Sequence, residues 1–352
     1  MKIALLIPTL QVGGSERNIV LLGEVLAAKG AEVQVWLTSA DQRELPTALR
    51  VVPTCPVGGG GRALAILRRV SGIRAQLTRF RPDCMISFLE SSNIPALLAG
   101  MLTGTPTIVS VRGNPHRFNW FYRVMAFLFY RHARSVVLPS REVADYLAKN
   151  YLLRNTVCIP NIQLSANGAA IVSPRKVDGP MLAVGRLVPG KRFDDVIALA
   201  ESIAAQRELV IVGDGPLRAA LEARAAGSSV KVSFAGALPH AQVLSMLEHS
   251  SVLLSMSESE CWPNAIAEAL SIGTPVIARD CDYGPREMIV DGRNGFLIRS
   301  AQEVRQRPEV ASALASETRY AQMCRDAAQG ALAWHRERIS ALWFDAVAGA
   351  RR

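Results

Sequence analysis

The sequence predicts an α/β protein made of two doubly wound parallel-sheet domains facing each other across a cleft. Three observations predict it. Short apolar runs rich in β-branched residues alternate with helical patterns along nearly the whole chain, as parallel strands joined by crossover helices require. That alternation lapses once, over 160–180, and then begins again. The length of 352 residues, with 49 % hydrophobic and 20 % charged, suits two globular cores and excludes a disordered, collagen-like or coiled-coil chain.

The elements follow in order. In the first round, strands fall at 2–8, 32–38, 84–88, 107–111, 135–138 and 156–159, with helices at about 15–29, 62–79, 92–101, 119–132 and 141–149. Runs such as KIALLIP and CMISF are apolar at successive positions, the pattern of strands covered on both faces. Residues 1–165 thus form the first Rossmann-like domain. The stretch PNIQLSANGAAIVSPRKVDGP has no sustained period and many turn formers, which assigns an interdomain linker to 166–180. A second Rossmann-like domain over 181–330 has strands at 181–185, 208–213, 230–235, 251–256, 275–278 and 295–298. Its helices lie near 191–205, 216–225, 240–248, 263–271 and 302–329. Residues 331–352 read as one more helix, outside the second sheet and able to cross back to the first domain. Ligands of such sheets bind outside the carboxyl ends of the strands, so the interdomain cleft is the expected site.

Charge divides the chain. Residues 1–180 hold 21 Lys+Arg against 10 Asp+Glu and the remainder 19 against 20, a split of +11 and −1. The excess concentrates in 62–82 and 91–141, each with six arginines and no acid. In the first segment Ile66, Val70, Ile73, Leu77 and Phe80 form a helical stripe with most arginines off it. In the second, an aromatic run from Trp120 to Tyr130 is flanked by arginines. Two readings stay open for these helices: shallow insertion at an anionic bilayer surface, or apolar stripes packed on a sheet with solvated arginines. Nucleic acid is not the expected partner, because no nucleic-acid module appears and the aromatics are not spaced as a stacking platform. Six scattered cysteines without a C-x-x-C pair indicate neither a disulfide framework nor zinc and fit a reducing cytoplasm. No stretch reaches the ~18 apolar residues of a spanning helix, and the start MKIALLIPTLQVGG lacks the marks of a secretory signal, so neither membrane spanning nor export is expected.

The loops after strands carry the chemistry. Gly13-Gly14-Ser15 precedes a helix, with Ser15 as the expected cap; its amides make either an anion seat or a plain glycine turn. Gly213-Asp214-Gly215-Pro216 lacks the third glycine of a dinucleotide fingerprint and reads as a tight strand-to-helix turn. Glu260 and Glu268 stand eight residues apart around Cys261-Trp262-Pro263-Asn264-Ala265, with Pro263 expected in the first helical turn. The amides near Asn264 and Ala265 suit a diphosphate, and the two carboxylates suit vicinal hydroxyls of a sugar or ribose. Arg186 and Lys191, in GRLVPGK after the first strand of the same domain, can neutralise that diphosphate. Asp280-Cys281-Asp282 is a D-x-D, but with Arg186 and Lys191 available for the charge no metal is expected there. None of His116, His132, His240, His249 and His335 has ligand spacing, and each reads as surface or packing.

Together GGSER, GRLVPGK, VGDGPLR, FAG, the E-x7-E pair and GTPVIA resemble the retaining GT-B glycosyltransferases of family 4 over nearly the whole chain. The resemblance implies a nucleotide-sugar donor held mainly by the C-terminal domain and metal-independent transfer with retained anomeric configuration. Carried over, Arg186 and Lys191 contact the diphosphate and leaving oxygen, Glu268 the ribose and Glu260 the donor sugar. Asn264 and Ala265 lend amides, and Gly14 joins the donor-binding set. The segments around Arg112-Gly113-Asn114-Pro115 and 282–287 resemble the subgroup that uses UDP-N-acetylhexosamines for lipid-linked or surface glycans, where Arg112, Asn114 or His116 faces the acceptor or donor sugar. Cys261-Trp262 stands where many members carry Gly-Phe, and GGSER replaces the commoner GGAER. The expected partners are a nucleotide-sugar donor, a lipid-pyrophosphate-linked or glycan acceptor and an anionic membrane met by the basic N-terminal domain. No cofactor is expected, and the expected location is the inner face of the cytoplasmic membrane. A GT-B-like sugar-nucleotide epimerase or hydrolase, and a non-catalytic polyanion-binding protein, remain alternatives.

Overall fold

A computed structural model describes residues 1–11, 13–39, 45–54, 62–163, 178–203 and 207–349. It divides into two compact units, Met1–Ile162 with Arg336–Arg352, and Gln163–His335. The linker assigned to 166–180 lies outside the described residues apart from 178–180.

The N-terminal unit is a seven-stranded parallel sheet ordered β3-β2-β1-β4-β5-β6-β7. Its strands are β1 (Lys2–Ile7), β2 (Glu32–Leu37), β3 (Arg50–Pro53), β4 (Cys84–Phe88), β5 (Thr107–Ser110), β6 (Ser135–Leu138) and β7 (Thr156–Cys158). Its helices are α1 (Gly14–Ala28), α2 (Arg62–Phe80), α3 (Glu90–Thr103), α4 (Trp120–Phe129), α5 (Arg141–Asn150) and α13 (Arg336–Gly349). Five successive buried side chains in β1 and all five in β4 mark them as central strands with both faces covered. The stripe expected on α2 forms: Val70, Ile73, Leu77 and Phe80 are buried with Ala4, Leu6, Trp36 and Met85 of the sheet, and Ile66 is partly buried against them. α4 differs, since only Ala126 is buried while Trp120, Val124, Phe127 and Leu128 are exposed. α13 returns from the chain end to this unit, where Trp343 stacks on Phe88 with ring centroids 6.1 Å apart.

The C-terminal unit is a six-stranded parallel sheet ordered β10-β9-β8-β11-β12-β13. Its strands are β8 (Met181–Val184), β9 (Leu209–Val212), β10 (Val232–Gly236), β11 (Val252–Ser255), β12 (Val276–Arg279) and β13 (Gly295–Ile298). Its helices are α6 (Phe193–Ile203), α7 (Arg218–Ala226), α8 (His240–His249), α9 (Asn264–Ser271), α10 (Pro285–Met288), α11 (Pro308–Ala315) and α12 (Glu317–Ala331). Both sheets are Rossmann-like.

Three expectations change. The edge strand β3 had no apolar run to announce it, because its four residues are half-buried or exposed. The single helix expected over 302–329 is three pieces: a 3₁₀ stretch Ala301–Gln306, α11 and α12. Pro308 has no N–H with which to extend a preceding helix, and Ser316 caps α12 by accepting from the Arg319 N–H. Finally, Ser15 is not the cap of α1. The helix starts one residue earlier, with Gly13 as cap and Gly14 as first residue.

Candidate active site

In the C-terminal unit the loops after β8, β9 and β11 are knitted together. Gly185 N donates to Val212 O (3.0 Å), Leu187 N to Asp214 O (2.9 Å) and Leu217 N to Leu187 O (3.1 Å). Glycines 213 and 215 permit this approach. A Cβ on Gly213, at φ +139°, would collide with the Gly185 carbonyl oxygen, and one on Gly215 would lie 2.6 Å from the Leu187 oxygen. The G-x-G is therefore more than a turn: it holds GRLVPGK in place. That loop ends in a 3₁₀ turn, Pro189–Lys191, on which the Lys191 Nζ lies 2.5 Å from Glu260 Oε1, with the Glu260 side chain 13 % exposed. Glu258 N donates to Gly190 O (3.0 Å), which ties the two loops through backbone as well. Arg192, at φ +51°, is neutralised by Asp195 at 3.0 Å. Arg186 is exposed, and its guanidinium makes no ion pair among the described residues.

Behind Glu260 the chain enters α9. Pro263 is the residue before the helix rather than within its first turn, and its carbonyl accepts from both Ile266 and Ala267 (3.1 Å each). The amides of Asn264 and Ala265 thus lie ahead of Ile266, the first N–H to donate to the Pro263 carbonyl, the arrangement that favours an anion. Glu268, the fifth residue of α9, is 6 % exposed, and its Oε1 lies 3.0 Å from Nε2 of His240, the first residue of α8. Sequence reading treated His240 as surface or packing. Its one cue was position, a polar residue opening the helix that follows β10.

A parallel bridge between Ser259 and Asp282 brings the next loop beside this one. Burial, with the Glu260 charge second, pushes the Cys281 thiol up to about 12, so it is no nucleophile at neutral pH. Asp280 of the D-x-D is ion-paired with Arg286. Among the described residues no group of three or more His, Cys, Asp and Glu comes together as a metal cage.

The N-terminal unit holds the remaining predicted residues. The Glu16 carboxylate folds back over Gly13, so the start of α1 at Gly14 already has an anion beside it. Arg112 donates to Asn161 Oδ1, with its guanidinium 4.7 Å from the Phe88 ring centre and 5.8 Å from that of Trp343. It ties β4, α13 and the chain at 161. Asn114 accepts from the His116 N–H (2.9 Å) and so caps a short 3₁₀ turn, while His116 is exposed against Tyr146, ring centres 4.3 Å apart. Gly14, Arg112, Asn114 and His116 thus belong to one unit, and Arg186, Lys191, Glu260, Asn264, Ala265 and Glu268 to the other.

Comparison with known proteins gives these loops a context. Residues 12–162 match the model "Glycosyltransferase Family 4", and residues 173–330 match "Glycosyl transferases group 1". A GDP-mannose-dependent alpha-mannosyltransferase of Mycobacterium tuberculosis is 36 % identical over 352 residues, covering 91 % of this chain and 89 % of the relative. A Campylobacter jejuni alpha-1,4-N-acetyl-D-galactosaminyltransferase named for a diNAcBac-PP-undecaprenol-linked GalNAc disaccharide is 25 % identical over 332 residues, 86 % of each chain. Among solved structures, Anabaena Alr3699/HepE in complex with UDP superimposes with TM-score 0.79 at 18 % identity, over 99 % of this chain and 100 % of that one. Two Rossmann-like units, these loops and these relatives together make the chain a GT-B glycosyltransferase of family 4, group 1.

Proposed function

We propose that the protein moves an N-acetylhexosamine or hexose from a UDP-linked donor to a lipid-linked or polysaccharide acceptor, with retained anomeric configuration and without a metal. The observation that carries this reading is the Lys191–Glu260 pair at the entrance to α9, with Glu268–His240 behind it. Breaking the sugar–phosphate bond builds negative charge on the departing diphosphate. Arg186, Lys191 and the amides of Asn264 and Ala265 stabilise that charge. Glu268, oriented by His240, accepts from the ribose hydroxyls, while Glu260, held by Lys191, accepts from the donor sugar. The N-terminal unit binds the acceptor. Its exposed apolar α4 and its acid-free basic segment 91–141 dock on the anionic inner face of the cytoplasmic membrane; no helix among the described residues is long and apolar enough to cross it. UDP in the Anabaena structure and the undecaprenol-linked substrate in the Campylobacter name support this choice.

A second donor, GDP-mannose, is favoured by the 36 % identical mycobacterial relative. A thermal-shift and calorimetric screen of UDP, GDP, ADP and their sugars, with Glu268→Ala as control, decides. Selective UDP stabilisation lost in the variant supports the proposal. Selective GDP stabilisation moves the assignment to the mannose donor, and no nucleotide response sinks both. Turnover of UDP-sugar that needs no acceptor identifies a hydrolase or epimerase instead. Sedimentation with liposomes should rise with anionic lipid content; indifference to it refutes membrane docking.

A further inference from the structure

Glu90 opens α3 at the carboxyl end of β4, and the strand order places that end beside β1, where the direction of strand succession reverses. The crevice at such a reversal is where open α/β sheets take their ligands. The preceding Leu89 sits at φ +70°, held by donation to Ser110 O (3.2 Å) and by acceptance from the amides of Ser92 (3.0 Å) and Asn93 (2.8 Å). This turn directs the Glu90 carboxyl toward Gly113 in the loop after β5. A Cβ there would lie 3.8 Å from Oε1 and 3.9 Å from Oε2, in ordinary van der Waals contact with the acid. Oε1 is buried and has no hydrogen-bond partner among the described residues. An acceptor in that condition bears its full desolvation penalty.

On the same turn Asn93 Oδ1 and Ser110 Oγ are likewise buried without a hydrogen-bond partner among the described residues. Arg69 of α2 donates to Ser91 O (3.0 Å) and Ser39 Oγ (2.9 Å), and Arg112 lies over two aromatic rings and donates to Asn161. The buried Tyr130 hydroxyl lies 3.4 Å from Asn93 Nδ2. We propose that Glu90 Oε1 receives the hydrogen of a hydroxyl on the acceptor sugar, making Glu90 an acceptor-binding residue of this enzyme. The inference rests on the reading that the N-terminal unit binds the acceptor. A sugar hydroxyl is the right complement because it is neutral and donates one hydrogen to an acceptor that has none. Burial pushes the Glu90 carboxyl up to about 7, against a smaller lowering by its own N–H, so its capacity to accept increases across neutral pH.

The test uses the full chain, a synthetic prenyl-diphosphate-linked N-acetylhexosamine as acceptor probe and UDP-N-acetylhexosamine as donor. Saturation-transfer NMR reads probe binding without donor, calorimetry reads UDP, and initial rates read transfer. Glu90→Ala should weaken probe binding and raise the acceptor KM at least tenfold, with UDP affinity and acceptor-free donor hydrolysis unchanged within twofold. Glu90→Gln, which keeps the shape if the alanine variant fails to fold, should abolish the rise in acceptor kcat/KM between pH 6 and 8. Probe binding and pH profile untouched in both variants overturn the proposal alone. A fall in donor hydrolysis with acceptor KM unchanged also overturns it, by assigning Glu90 to the donor sugar. UDP bound normally with no probe binding to the wild type overturns the acceptor-domain reading and the proposal with it.

Discussion

Lys191→Ala separates what the lysine does for stability from what it does for transfer. The Lys191 side chain is 34 % exposed and its partner Glu260 13 % exposed, so the pair is only partly withdrawn from water. Such pairs are worth about 0–1 kcal/mol, and in a unit of about 170 residues each kcal/mol moves Tm by about 2–4 °C. The variant should therefore melt no more than about 4 °C below wild type. On the proposed function the same ammonium faces the charge that develops on the diphosphate, and removing one such group costs about 2.7–4 kcal/mol, or roughly 10²–10³ in kcat. The assay is kcat at saturating donor and fixed acceptor, with thermal melting on the same preparation. Glu260→Gln supplies the partner arm: it should keep the lysine and lower kcat less. A Lys191→Ala enzyme that turns over within threefold of wild type refutes the assignment, and one that melts far below it shows the pair to be structural. Lys191→Arg is not a rescue, because a planar fork cannot replace a point charge packed against one carboxylate oxygen.

His240→Ala removes the group 3.0 Å from Glu268 Oε1 and should weaken UDP binding roughly tenfold by calorimetry, about 1.5 kcal/mol, with kcat at saturating donor little changed. Arg112→Ala removes two ring contacts and the Asn161 bond, costing about 2 kcal/mol and roughly 4–8 °C in Tm while UDP-sugar affinity holds; the reverse result would assign Arg112 to the donor sugar. The Cys281 thiol, raised to about 12, stays neutral where an exposed thiol ionises, so mass spectrometry should find it unalkylated by iodoacetamide at pH 8.5 in native protein and alkylated in urea. A thiol raised in the folded state stabilises below its unfolded value near 9 and loses that contribution as pH climbs toward 12, so alkaline melting should begin above pH 9 and be eased by Cys281→Ala.

What the chain disclosed of its fold follows from where its residues are buried. β1 and β4 are central, so nearly every side chain had to be apolar and the runs were plain. β3 is an edge strand bounded by Arg50 and Pro53, so nothing forced an apolar run on it. The helical period through 302–329 was real at Tyr320, Met323, Cys324 and Ala327, yet period alone cannot see that Pro308 and Ser316 start new helices. Gly213 and Gly215 stood out as glycines, but their purpose depends on the loop at 185–187 lying against them, a contact between strands that sequence separates.

The site shows the same limit in sharper form. Glu260 and Glu268 are the same residue type eight positions apart, and the sequence offered one chemistry for both, acceptance from hydroxyls. Folding gives them different partners, 69 residues away for one and 28 for the other. Glu260, on a loop, is met by a lysine whose flexible stem lets ammonium and carboxylate shift together toward a ligand. Glu268, inside α9 and almost wholly buried, is met by a rigid imidazole at the start of another helix. On the proposed function, the first pair suits a group that must respond as charge develops, and the second suits one that must hold a ribose still. This asymmetry predicts opposite kinetic signatures, a kcat defect at the Lys191 pair and a binding defect at the His240 pair. Equal effects on kcat and donor affinity from both would mean that the two carboxylates act as one site.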